Sequence, residues 1–204
     1  MTVRAIEARL GLAIVGALLT GGCGDLTSGG LGELEVVVAA DSVPVSAAGV
    51  SGTGAARQIG PDSEGLEGTL TLHVQVYVLQ PPARWVEVTD GVEEIMIALE
   101  GAEPAVLART SLAAGRYRAV RTVFRRVEAN VLRGLVVDGF PVTGVVRVQL
   151  GLGSVLVVDD PIEVDVPQGG ESSLLVDLHA ARWLRLLDRS LGHVTAQDFQ
   201  SQFR

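Results

Sequence analysis

The groups through which this chain could do chemistry are three histidines, a loop serine, a cluster of acids and a run of arginines. His73, His179 and His193 stand 106 and 14 residues apart, with no H-x-x-x-H pair to place two imidazoles on one helical face around a metal. His73 falls opposite Leu72 and Val74 in an alternating stretch, which predicts a solvated strand position. Gly49-Val50-Ser51-Gly52-Thr53-Gly54 surrounds a serine with glycines, but it is neither a nucleophile elbow nor a phosphate-binding loop. Asp159, Asp160, Glu163 and Asp165 fall within seven residues. Calcium takes six to eight oxygens, so Asp159, Asp160 and Asp165 form the candidate metal group. Their spacing is not that of an EF-hand, and Pro161 predicts that Asp159-Asp160 is a turn whose charges face water. Arg116, Arg118, Arg121, Arg125 and Arg126 form a candidate anion patch, extended by Arg133. It suits lipid headgroups, an acidic glycan or an acidic partner. The competing expectation is cross-strand pairing with acids such as Glu87, Glu94 or Glu128.

One cysteine occurs in the chain, at position 23. Arg4 and Arg9 precede an unbroken apolar and small-residue run, residues 10–19. Ten helical residues rise about 15 Å, half of a hydrocarbon core of about 30 Å, so the run has the length of a signal peptide's apolar region. Leu19-Thr20-Gly21-Gly22-Cys23 follows directly and resembles the lipobox of bacterial lipoproteins, with threonine where leucine is most usual. The resemblance implies removal of residues 1–22, acylation of Cys23 and a membrane-anchored chain. Gly24 rather than aspartate after the cysteine leans towards the outer membrane or surface over the inner membrane.

The whole chain of 204 residues has a formal charge of −8, and all 16 of its basic residues are arginine. Loss of residues 1–22 removes Arg4, Arg9 and Glu7 and leaves −9. Such a balance argues against nucleic acid, whose phosphates need a basic surface. A lone cysteine excludes an intramolecular disulfide and a C-x-x-C site. No cofactor motif is present, and none is expected. Hydrophobic residues make up 48% of the chain and aromatics only 4%, so an aliphatic core is expected.

Those side chains must be positioned by strands. Residues 24–32 read as a tether and residues 33–39 as a first strand, β-branched and bounded by glycine. Residues 42–68, rich in Gly, Ser, Ala and Pro, read as a long mobile insertion. Leu70, Leu72, Val74, Val76 and Val78 then alternate with polar or aromatic neighbours, the signature of a strand with one buried face. Residues 84–88 and 93–99, around Thr89-Asp90-Gly91, look like a hairpin. Residues 116–130 carry Tyr117, Val120, Phe124 and Val127 at helical spacing, yet their β-rich content predicts a strand with a bulge. Further short strands are expected at 105–110, 132–137, 144–150, 155–158, 162–166 and 172–178, with turn signals between them. The end differs: residues 180–189 have helical composition, and Thr195 with Asp198 forms a capping-box variant. The sum is a mainly β chain, an antiparallel β-sandwich over 33–180 with one or two short helices in 181–204.

The order of several short motifs resembles a family of bacterial lipoprotein domains of unknown function with a carbohydrate-binding-like, transthyretin-like β-sandwich. They are Gly32-Glu33-Leu34, Ala40-Asp41 with Pro44, the strand from His73 to Val78, Trp85-Val86-Glu87-Val88, and Gly169-Gly170-Glu171 before Leu174. The most distinctive is Leu112-Ala113-Ala114-Gly115-Arg116-Tyr117 with Arg121 four residues on. The resemblance implies a non-catalytic sandwich and brings no active residues with it. With the lipobox and the strand series, the expectation is an envelope-anchored domain that binds or scaffolds an envelope protein, and the fold resemblance adds a glycan-binding module as the alternative. Only the acid cluster points the other way, towards a calcium-dependent envelope enzyme.

Overall fold

A computed structural model of the chain describes residues 30–41, 65–100, 103–151 and 154–203. The expected signal segment (1–22), Cys23, most of the expected tether and most of the expected 42–68 insertion lie outside the described residues. The fold is mainly β, a sandwich-like packing of sheets with two short helices near the end, as expected.

Its spine is a pair of long strands, β2 (Glu67–Gln80) and β7 (Val120–Val137), joined antiparallel. Each is longer than a typical strand of five or six residues, so each carries two shorter strands end to end along its free edge. On β2 these are β3 (Arg84–Glu87) and β4 (Glu93–Ala98). On β7 they are β8 (Phe140–Gln149) and β9 (Leu156–Asp160). The expected hairpin between β3 and β4 is therefore corrected. Both run antiparallel to β2, and the fourteen residues of β2 offer enough edge for the chain to continue in one direction. The intervening Thr89 side chain accepts the Val76 N–H at 3.1 Å, so the ladder is bridged where a turn was expected.

A second, three-stranded layer runs β11 (Glu171–Asp177), β1 (Leu31–Ala39), β5 (Ala105–Ala113). Here β1 pairs antiparallel with β5 but parallel with β11. A two-stranded ribbon joins β6 (Gly115–Tyr117) to β10 (Val164–Val166). Helix α1 (Ala180–Leu184), β12 (His193–Thr195), which adds parallel to β8, and α2 (Ala196–Ser201) complete the chain.

Alternation along β2 buries Leu70, Leu72, Val74, Val76 and Val78 and turns the odd positions outward. The helix-like spacing in 116–130 has a strand explanation. Arg118 and Ala119 lie between β6 and β7, and the register against β2 shifts where His73 pairs Arg126 while Val74 pairs Phe124. Arg125 is the extra residue. Inward positions change from even (Val120, Thr122, Phe124) to odd (Val127, Ala129, Val131) across it. The hairpin to β8 turns on Asp138-Gly139, both at positive φ, as a tight two-residue connection requires. Gly134 (φ +86) is needed for a second reason, because a Cβ there would collide with the Gly65 carbonyl.

The core is largely aliphatic, but its carboxy-terminal end is not. Phe199 lies edge-on to Phe124 (centroids 5.3 Å) and Trp183 (5.4 Å), with Phe203 at 5.1 Å. Half of the chain's eight aromatics thus meet under the two helices. The Thr195 hydroxyl accepts the Asp198 N–H at 3.1 Å and donates to the Asp198 carboxylate, so the cap falls where Thr195 and Asp198 placed it.

Candidate functional site

Two regions gather chemistry-bearing side chains, and the β7–β9 ladder separates them. On the outer face of the large sheet, Arg121 pairs across to Asp159 through two contacts, Nε to Oδ1 at 2.7 Å and Nη2 to Oδ2 at 2.8 Å. Its guanidinium also lies 4.2 Å from the Trp85 ring centroid. Arg126 and Arg147 both donate to Glu128 Oε2, at 2.9 and 2.7 Å, and Arg125 donates to Gln75 at 3.2 Å. These donors hold the Asp159 and Glu128 carboxyls below their ordinary values, chiefly through the hydrogen bonds themselves. Arg133 pairs with Glu67 further along.

The five arginines singled out in the sequence therefore separate. Arg121, Arg125 and Arg126 share the outer face, while Arg116 sits on the β6–β10 ribbon, 3.9 Å from Glu163 and opposite Asp165. Arg118 lies between β6 and β7. A shallow depression of about 450 Å³ brings Arg125 and Arg126 together with Arg147, a residue that sequence spacing did not associate with them.

The acids separate too. Asp159 and Asp160 were expected in a turn; both belong to strand β9, because pairing with Arg121 and Val120 continues through them. A strand sends neighbouring side chains to opposite faces. Asp159 goes outward to Arg121, Asp160 goes inward, and Asp165 is on another ribbon, so the three do not converge. His73, expected in solvent, is on the outward face of β2 but half-buried there, its Nε2 shielded from water and 3.5 Å from Glu94.

Asp160 lines the second region, a cavity of about 300 Å³ between the large sheet and β11. Two cross-strand pairs form its floor, Val120 with Asp160 and Thr122 with Val158. Leu174, Leu175, Val176 and Asp177 of β11 face it, with Ile162, His179 and Phe203 at its margins. Burial raises the Asp160 carboxyl above its ordinary value.

At the Asp177 end a group forms that the sequence did not announce. Parallel pairing of β1 with β11 sets Ala39 beside Asp177 and carries both chains on together. The Ala39 and Ala40 carbonyls accept the N–H groups of Leu178 and Ala180. The buried Asp41 carboxylate accepts that of Ala181 at 2.8 Å, capping α1 from 140 residues away. His179 takes a left-handed conformation (φ 47, ψ 47), with its N–H donated to Asp177 Oδ1 at 3.0 Å. One potential ligand atom from each of Asp41, Asp177 and His179 then lies within 4.8 Å of the others. Asp177 and His179 are two residues apart, but Asp41 joins them only through the parallel pairing of β1 with β11. No family model matches this chain, and neither does any curated protein or solved structure.

Proposed function

We propose that this chain is a lipid-anchored cell-envelope lipoprotein whose β-sandwich binds or scaffolds without catalysing a reaction. The observation that carries the reading is Leu19-Thr20-Gly21-Gly22-Cys23 directly behind a ten-residue apolar run. Several acyl chains on one cysteine, each buried CH₂ contributing about 0.8 kcal/mol, make such an anchor stable where a single chain would bind only marginally. The arginines and acids of the outer sheet face support the second half of the reading, since they are committed to one another, across strands at Arg121–Asp159 and Arg147–Glu128 and along β7 at Arg126–Glu128. In a bacterial host, wild-type protein is expected in the membrane fraction and in the detergent phase on Triton X-114 partition. Cys23→Ser is expected in the aqueous phase. A wild-type chain that fractionates as soluble ends the reading.

A glycan-binding module is the second reading. Trp85 and Tyr77 share the outer face with Gln75 and Glu87, through the register of β2 with β3 and β7. The Arg121 guanidinium already occupies one face of that indole. Binding on a glycan array that is lost in Trp85→Ala would favour this reading; an array at background would remove it.

A further inference from the structure

We propose that the cavity between β9 and β11 binds a small organic cation, an apolar body carrying a protonated amine that pairs with Asp160. The inference deepens the binding reading above and rests on it, but it does not depend on the anchor.

The walls select the body. Val120, Val158, Leu174, Val176 and Phe203 present hydrocarbon, and a cavity of about 300 Å³ is at the lower end of the range that holds small molecules. The acids select the head group. Among the described residues the cavity is lined by two carboxylates, Asp160 and Asp177, one histidine, His179, and no arginine. Asp177 is already engaged with His179, through its N–H at 3.0 Å and Nδ1 at 3.5 Å. Asp160 differs. Its side chain makes no hydrogen bond or ion pair among the described residues, and desolvation is what disturbs its titration. Its neighbour Asp159, one residue away on the same strand, has a two-contact arginine partner. A half-buried carboxylate on an apolar floor is stabilised when a cation arrives with it. An anion would meet repulsion from both acids. A neutral molecule of the same shape would gain the walls alone.

The test uses the full chain carrying Cys23→Ser, so that no detergent competes for the probes. Hexylamine, hexanol and hexanoate are titrated at pH 7 against the methyl NMR signals of Val158 and Leu174. The expected order is hexylamine tighter than hexanol by about tenfold, the scale of a charge-assisted contact, with hexanoate weakest. In Asp160→Asn the amine should fall to the affinity of the alcohol while the alcohol is unchanged. Ile162→Trp, at the exposed margin, should weaken all three. Hexanoate binding as tightly as hexylamine, an amine preference that survives Asp160→Asn, or no binding of any probe overturns the proposal. Should Asp160→Asn fail to fold, the order of the three probes on the parent chain decides alone. Probe binding and membrane fractionation are separate measurements, so this inference and the anchor fail independently.

Discussion

Asp159 and Asp160 are neighbours on one strand, and they live in opposite chemical worlds. Asp159 stands on the outer face of the large sheet, held by Arg121, which in turn lies over Trp85. Asp160 stands on the inner side, beside Val120 and over an apolar cavity, with its charge disfavoured by burial. The outer face spends its charge on lateral pairing between strands. The inner side is mostly hydrocarbon, and Asp160 stands on it without a side-chain partner among the described residues. A cluster of acids in a sequence is therefore not one feature when it lies on a strand, because the period of two divides it between environments.

The contrast can be broken by substitution. The largest effect should come from the inner side of β7. Phe124 is fully buried against Phe199 and Phe203, and Phe124→Ala should cost about 3–5 kcal/mol in urea unfolding. A loss under about 1 kcal/mol would mean that the aromatic end is not part of the cooperative core. On the outer face, Arg121→Ala removes the Asp159 pair and the Trp85 contact together. Both are solvent-accessible, so the cost should stay near 1 kcal/mol and shrink in 1 M salt.

The two aspartates should respond to pH with opposite signs. Folding lowers the Asp159 carboxyl, so its contribution is present above the unfolded value of about 3.9 and is lost as pH falls through the lower folded value. Asp159→Asn should therefore lower the urea midpoint at pH 7, and that penalty should shrink as pH falls below about 3.9. Folding raises the Asp160 carboxyl, so ionising it opposes folding, and that cost is absent below about 3.9 and full above the folded value. Asp160→Asn should raise the midpoint at pH 7, with the gain disappearing in acid. Equal signs for the two variants would sink the comparison. Smallest of all, Arg125→Ala should change stability by less than about 0.5 kcal/mol, since the bulge residue only reaches Gln75 at the surface.

Much of the architecture was legible because local pattern and final packing agree. The alternation from Leu70 to Val78 names the buried face of β2, and Asp138-Gly139 and Thr195 with Asp198 mark a turn and a helix start through their own backbone chemistry. The bulge in 116–130 was readable from content despite its helical spacing, and the structure explains that spacing as two changes of strand parity. Pairing partners were less legible. Nothing local says whether two consecutive strands fold onto each other or lie end to end along a longer third one, and β3 and β4 do the latter.

The candidate sites mark the same boundary more sharply. The sequence by itself determined the strand-rich content and the period-two alternation of β2, and it carries the lipobox-like stretch at Cys23 as one contiguous run of residues. Only the tertiary structure decided which charges meet. Arg121 finds Asp159 across 38 residues, Glu128 joins Arg126 to Arg147, and Asp41 reaches α1 across 140. The cavity belongs wholly to that second class. Its walls come from β7, β9, β11 and Phe203, with Ile162 and His179 at the margins, and the volume they leave is a property of how the two sheets and the carboxy-terminal segment pack. Packing of that kind depends on shapes meeting in space, and no periodicity along a chain encodes it.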